Sequence, residues 1–302
     1  MKRVQVIMSS YNGEKNIIRQ LDSIMAQEGV NVSVLVRDDG SHDHTVDVLK
    51  NYGITHNNLR IIEGDNIGWR KSFLEGLKQA EKADYYAFSD QDDVWISDKL
   101  YKCIQALENE TDNNNVPVMV HCNRFSCDEE LRPFETQSMK VPRPLNKKNA
   151  LTQEFAQGCT IVMNEAARML VTRIEPDRRA AHDFWTGLIC YYFGKVCYLD
   201  ERLIYHIRYN NSASFAGDIK GGQKNRLKKV ISGEEVYYNP AEDLLRGYSD
   251  LLTNKEKTFL RTVANAKKSL AGRIRLLFDF EFRRVSIGGT LLFKACILFG
   301  RY

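Results

Sequence analysis

The chain contains no run of eighteen consecutive apolar residues, which excludes an ordinary transmembrane helix. Its N-terminus, Met1-Lys2-Arg3-Val4, leads straight into a short apolar run that lacks a signal peptide's longer core and small-residue cleavage site. The seven cysteines, Cys103, Cys122, Cys127, Cys159, Cys190, Cys197 and Cys296, are odd in number and show no metal-type spacing. In a chain of 302 residues they read as reduced thiols packed as small apolar side chains, the pattern of a cytoplasmic protein. Zinc-finger and RRM-type signatures are missing, which argues against nucleic acid as a partner. Repeats and low-complexity tracts are absent as well. What remains is an ordinary globular composition, 43% hydrophobic and 27% charged, long enough for one large domain or a domain with an appendage.

Charge is unevenly spread. Residues 221–302 carry a net +8 and residues 1–220 a net −4, for a total of +4. An acidic body with a basic tail suggests a divalent cation on the first and an anionic surface against the second.

Val4–Met8 reads as a strand ending in the polar turn Ser9-Ser10-Tyr11-Asn12-Gly13, and Ile17, Leu21, Ile24 and Met25 follow at helical spacing. Val32–Val36 is a second strand that halts at Arg37-Asp38-Asp39-Gly40-Ser41. A helix from about Thr45, a strand at Leu59–Glu63, a helix from near Gly68 and a strand at Tyr85–Phe88 continue the alternation. Strands alternating with helices imply an α/β fold, a parallel sheet covered on both faces. In such sheets ligands bind beyond the carboxyl ends of the strands, where Asn12, Asp38, Asn66 and Asp90 all lie. After residue 110 the pattern loosens: a polar loop at Thr111–Asn115, strands at Val116–His121 and Cys159–Met163, and a loop at Glu135–Asn149. A helix at His182–Phe193 and two closing strands, Lys195–Leu199 and Leu203–Ile207, complete this part. From Gly221 onward the chain reads as helical and basic.

The strongest chemical signal is Phe88-Ser89-Asp90-Gln91-Asp92-Asp93-Val94-Trp95. Three carboxylates within four residues at a strand end repel one another unless a cation or hydrogen-bond donors compensate. Hard oxygen ligands suit Mg²⁺ or Mn²⁺, and such a metal neutralises charge on a diphosphate leaving group. The alternative is a solvated acidic turn with an Asp capping the next helix.

In their order and gaps, Asp38-Asp39-Gly40-Ser41, Asn66-Ile67-Gly68 and Asp90-Gln91-Asp92-Asp93-Val94-Trp95 resemble glycosyltransferase family 2, with its GT-A fold, over roughly the first 210 residues. The Gln within the acidic run and His182-Asp183-Phe184-Trp185 are most similar to the rhamnosyltransferase-like branch, which builds bacterial surface polysaccharides. The resemblance implies a GT-A catalytic domain over 1–215, with a nucleotide-sugar half at 1–110 and an acceptor half at 111–215, followed by a helical, basic C-terminal region at 216–302. It implies roles as well. Ser9, Tyr11 and Asn12 line the base and ribose pocket, and Asp38 bonds the base. Asn66 and Gln91 belong to the nucleotide-sugar site, Asp90 faces the sugar, Asp92 binds Mn²⁺ or Mg²⁺ directly, and Asp93 orders the loop or supports a ligand.

Asp183 is matched to the general base that takes the acceptor's proton in an inverting transfer. By spacing alone, a helix cap is the stronger reading of that Asp. Gly158, His182 and Trp185 fall on the acceptor side; a bulge explains the glycine equally well, and an aromatic at the helical spacing of Trp185 is more often a core residue. At Leu203–Asn211 the chain departs from the family, with Arg208 where relatives commonly place a His. Either His206, two residues earlier on the same strand face, contacts metal or phosphate, or Arg208 grips the diphosphate as a bidentate donor.

At the other end, Arg273-Ile274-Arg275-Leu276-Leu277-Phe278, Phe282-Arg283-Arg284 and the apolar run Ile287–Phe299 suit an interfacial helix on anionic lipid. Packing on the catalytic domain or on a second subunit of a homo-oligomer is the alternative. The resemblance thus implies a cytoplasmic enzyme, peripheral on the inner face of the plasma membrane. It would transfer a sugar, dTDP-L-rhamnose being the leading donor and UDP-hexoses the alternative, to a lipid-linked glycan. A sugar nucleotidyltransferase would need a Gly-rich basic loop after the first strand, and Ser9–Glu14 is not one. A non-catalytic membrane-surface module leaves four converging polar loops unexplained.

Overall fold

Val4, Val6 and Met8 point to one face of the first strand and Gln5 and Ile7 to the other, yet all five are buried. A strand covered on both faces belongs in the middle of a helix-flanked sheet, and β1 (Lys2–Ser10) lies there. The computed structural model describes residues 1–111, 113, 115–134, 143–209, 232 and 237–302. Much of the expected loop at 135–149, the residues Asn210 and Asn211, the expected domain boundary at 215/216 and the start of the basic helical region at 221 lie outside the described residues.

The chain divides into two compact units: Met1–Val141, Ala156–Arg173 and Ala181–Ser212 in one, Pro142–Phe155, Ile174–Ala180 and Ala213–Tyr302 in the other. In the first unit, β1 is flanked by β2 (Val30–Asp38) and β4 (Tyr85–Ser89), and β3 (Leu59–Glu63) lies outside β2, all in parallel. The helices α1 (Ile17–Met25), α2 (Thr45–Gly53) and α3 (Trp69–Lys78) connect them. The order across the sheet is β3-β2-β1-β4-β7-β6-β8-β5, where β5 is Val94–Trp95, β6 Val118–Cys127, β7 Ile161–Asn164 and β8 Lys195–Ile207. Chain order reverses between β1 and β4, so the loops after these two strands flank the switch point where open sheets bind ligands. The helices α4 (Lys99–Glu110), α6 (Glu165–Val171) and α7 (His182–Phe193) complete the unit.

Two expectations are corrected here. The two closing strands are one, β8, whose pairing with β6 slips between Cys122 and Phe125 instead of breaking. The strand expected to start at Cys159 starts at Ile161, because Gly158–Thr160 form a 3₁₀ turn.

The second unit is helical: α5 (Lys147–Ala150), α8 (Ala241–Tyr248), α9 (Asn254–Ala264), α10 (Leu270–Leu277) and α11 (Ile287–Leu298). Phe282, Phe293 and Tyr302 meet at its centre, with ring centroids 4.8 to 5.8 Å apart. Lys148 reaches Asp279 and Glu281, each at 2.7 Å, and Thr253 and Glu256 form a capping box on α9. No helix among the described residues is long and apolar enough to cross a membrane.

Candidate active site

The strand-end loops are tied to one another by their own polar side chains. Asp38 accepts from Ser10 Oγ (2.9 Å), Ser41 N (2.8 Å) and Ser41 Oγ (2.6 Å), joining the β1 and β2 ends. Three bonds on two oxygens leave Oδ1 with a spare lone pair. Asn12, in the left-handed region at φ 49°, accepts His42 N on its side-chain oxygen. Asp39 accepts from Ile67 N and Gly68 N at 3.0 and 2.9 Å and pairs with Arg37, anchoring the loop that carries exposed Asn66. Ser9, expected in the base pocket, donates its hydroxyl to Ser72 Oγ at 2.7 Å.

Gln91 ties two of these loops together. Its Oε1 accepts Tyr11 N (2.9 Å) and its Nε2 donates to Tyr11 O (3.1 Å), so the amide clasps the first loop and keeps one lone pair and one N–H beyond these bonds. Gly13 makes room for it, since a Cβ there would lie 2.4 Å from Gln91 Oε1. The Tyr11 ring stays exposed beside the clasp.

At the acidic run, Val94 pairs with Tyr205 and Trp95 with Ile204, so antiparallel register sets Asp93 opposite His206. The two meet at 2.7 Å between Oδ1 and Nδ1. Asp93 is fully buried, and its Oδ2 has no hydrogen-bond partner among the described residues. One atom each from Asp90, Asp93, Cys159 and His206 lies within 4.8 Å of the others. Burial and the charges of Asp93, Asp92 and Asp183 raise Asp90 well above the usual carboxylate range. Burial and Asp93 push Asp92 up to about 6. An orphaned carboxylate oxygen beside a crowded one fits a hard divalent cation. Burial holds the Cys159 thiol protonated, which makes it a poor ligand beside the two carboxylates. Asp92, expected as the direct ligand, stands outside this quartet, and Asp93, expected as support, stands inside it. The register explains the exchange: the residue next to the β5 pairing turns inward to β8.

Lys99 had no signal in the sequence as a site residue. It is fully buried, donates from Nζ to Cys159 O at 2.9 Å, and lies 3.0 Å from the centroid of the Trp95 ring. Burial lowers its pKa, and Asp93 works in the opposite direction.

On the acceptor side, His182 and Gly158 form one feature. The His182 ring stacks on Phe73 at 3.9 Å and stands edge-on to Phe88 at 4.8 Å. A Cβ on residue 158 would come within 2.2 Å of His182 Nε2, so only glycine admits the ring. Burial lowers the imidazole pKa to about 4. Asp183 opens α7, accepts Phe184 N at 2.7 Å, and is near enough to Asp90 to help raise it. Trp185, expected against the acceptor, is corrected: it is fully buried, with its indole N–H on Val171 O at 3.1 Å. A helix with core on nearly every side turns that ring inward.

Arg208 donates from Nε to Ser126 Oγ at 3.3 Å, and Arg124 donates from Nη1 to the same hydroxyl at 3.3 Å. Burial and the Arg124 charge depress Arg208. Arg208 and His206 therefore both belong to this end of the sheet: His206 on the acidic run, and Arg208 on the Ser126 side.

A family model for Glycosyl transferase family 2 matches residues 5–169. The dTDP-rhamnosyl transferase RfbG of Shigella flexneri is 36% identical over 105 residues, covering 33% of this chain and 36% of RfbG. The UDP-Glc:alpha-D-GlcNAc-diphosphoundecaprenol beta-1,3-glucosyltransferase WfaP of Escherichia coli is 26% identical over 117 residues, covering 36% of this chain and 43% of WfaP. Both matched stretches span less than half of the relative's length. Among solved structures, S. aureus TarS 1-349 in complex with UDP gives a TM-score of 0.57 at 18% identity, covering 100% of this chain and 89% of that one. At that identity the likeness concerns the fold, which is the GT-A fold expected.

Proposed function

Because the chain belongs to glycosyl transferase family 2, we propose that it is an inverting, metal-dependent transferase. In this reading it moves L-rhamnose from dTDP-L-rhamnose to a hydroxyl of a lipid-linked surface-polysaccharide intermediate. The observation that carries it is the gathering of Asp90, Asp93 and His206 at the sheet's switch point, with Asp183 near enough to raise Asp90.

In this reading residues 1–110 hold the donor. The exposed Tyr11 ring flanks the base, and the spare lone pair of Asp38 Oδ1 accepts from it. Asn12 and Asn66 line the ribose side. Asp90 and Asp93 would hold Mn²⁺ or Mg²⁺, with Asp92 alongside and His206 orienting Asp93. When bound, that cation neutralises charge developing on the diphosphate leaving group. Arg208, with Arg124 beside it, donates to diphosphate oxygens. Residues 111–215 receive the acceptor. Asp183 takes the proton of the attacking hydroxyl, and the Phe184 N–H bond fixes the orientation of its carboxylate. Gly158 and His182 shape the wall behind it.

The rhamnosyl donor rests on the name of RfbG, and the lipid-linked acceptor on that of WfaP. WfaP also supports a second reading, a UDP-hexose donor. A lipid-borne acceptor places the protein peripherally on the inner face of the plasma membrane. The test is incubation with Mn²⁺, a polyprenyl-diphosphate glycan and a panel of nucleotide sugars, scoring release of nucleoside diphosphate. Consumption of dTDP-rhamnose supports the reading, consumption of UDP-glucose alone favours the second, and consumption of none sinks both.

A further inference from the structure

Both α10 and α11 keep one apolar side outside the core of their unit. On α11, Leu292, Phe293, Cys296 and Ile297 are buried, while Ile287, Leu291 and Leu298 are exposed. At about 100° per residue these three fall within roughly 40° of arc, a second apolar stripe opposite the core-facing one. On α10, Leu270 and Ile274, with Phe278 just past its end, repeat at four-residue spacing and are exposed, while Leu276 is buried. The connection between them exposes Phe280 at 85% and Val285 at 40%.

The two helices are clamped as an antiparallel hairpin. Arg273 Nη1 donates to Leu298 O at 3.1 Å at one end, and Lys294 Nζ donates to Asp279 O at 2.9 Å and to Leu276 O at the other. The apolar stripes are therefore held in place by the fold.

We propose that this hairpin is the surface by which the protein lies on an anionic lipid bilayer, its apolar residues among the acyl chains and its basic residues at the headgroups. Charge selects that occupant. Lys268, Arg275, Arg283 and Arg301 are exposed on and around the hairpin. The acidic residues within it, Asp279 and Glu281, are both paired with Lys148. A second copy would bring the same positive charge against itself across a two-fold contact, whereas phosphate headgroups complement it. The 12-residue α11 is about 18 Å long, short of the roughly 30 Å hydrocarbon core, so it lies in the interface and does not span it. The inference deepens the reading of a lipid-linked acceptor and depends on it only for its purpose.

The test uses the full chain with phosphatidylcholine vesicles alone and with a quarter phosphatidylglycerol, at 50 and 500 mM salt. The expected result is co-sedimentation with the anionic vesicles at low salt and release at high salt. Ile287→Ser/Leu291→Ser should weaken binding at least tenfold, and Arg275→Glu/Arg283→Glu about as much, since each basic residue near the surface contributes about fivefold. Far-UV circular dichroism and melting temperature check that the variants fold. Equal absence of binding to both vesicle types overturns the proposal, as does a parent protein that dimerises in solution and turns monomeric in Ile287→Ser/Leu291→Ser without any vesicle affinity. A parent protein that binds anionic vesicles yet transfers no sugar to a lipid-linked acceptor counts against the proposed function alone, and Asp183→Asn should sediment like the parent.

Discussion

Replacing His206 with Ala removes the only hydrogen-bond partner that the described residues give the Asp93 carboxylate. Asp93 is fully buried and its second oxygen is already unpartnered, so the variant leaves a buried carboxyl group with neither oxygen partnered among the described residues. Breaking one side of a buried pair costs about 3–5 kcal/mol, or roughly 6–20 °C of melting temperature at 2–4 °C per kcal/mol. A cation bound between Asp90 and Asp93 would supply what the imidazole did. At a Mn²⁺ concentration near 100 Kd, it should return about 2.7 kcal/mol. The assay is thermal melting followed by circular dichroism, in EDTA and in graded Mn²⁺, for parent and His206→Ala. The double variant Asp93→Leu/His206→Leu removes both partners, so it should melt nearer the parent in EDTA and respond weakly to Mn²⁺. A His206→Ala protein melting within about 2 °C of the parent in EDTA would refute the argument. So would a Mn²⁺ response undiminished in the double variant.

Asp183→Asn should lower transfer about 10²–10⁴-fold with donor affinity near that of the parent; weak donor binding with retained turnover, read by calorimetry and a coupled assay, would refute its role as base. Gly158→Ala drives a methyl into the His182 ring, and should lose about 1–3 kcal/mol in urea titration, the range for overpacking. His182 titrates near 4 when folded and near 6.5 when unfolded, so between those values the unfolded chain binds the extra proton and stability rises with pH. The contribution is intact above pH 6.5 and should fall by about 3 kcal/mol towards pH 4. A His182 ring proton resonance that titrates near 6.5 in the folded protein would contradict this.

The parts of the fold legible in the sequence were those with local causes. The first strands and helices came from apolar spacing that burial on both faces of β1 and one face of α1 reproduces. The site was legible as a set of strand ends, because turn chemistry halts each strand where its loop begins. Pairings set across distance were not legible. The contact between Asp93 and His206, 113 positions apart, follows from β5 meeting β8, and nothing near either residue announces it. Gln91 entered the nucleotide-sugar site by resemblance alone, and its clasp on Tyr11, 80 positions away, had no local signal. Trp185 sits at a spacing that suits either core or surface, and the packing around α7 decided for the core. Lys99 lies in a stretch where a solvated helix start would look the same.

The cations around the acidic run explain how four acids can be kept together without being used up. Lys99 gives its hydrogen bond to Cys159 O, Arg124 gives its own to Gln157 and Ser126, and Arg19 gives its own to Glu129 O and Tyr209. Among the described residues, none of these three bonds Asp90, Asp92, Asp93 or Asp183. Their charge still lowers the cost of crowding, as the effect of Arg19 on Asp92 shows. An arginine clasped directly to Asp90 or Asp93 would stabilise the carboxylates more and would also fill the lone pairs that a cation needs. By holding the positive groups one layer back, on carbonyls, hydroxyls and an amide, the fold offsets part of the repulsion and leaves the oxygens open. The residual imbalance, visible in the raised Asp90 and Asp92, is then what a bound divalent cation would relieve.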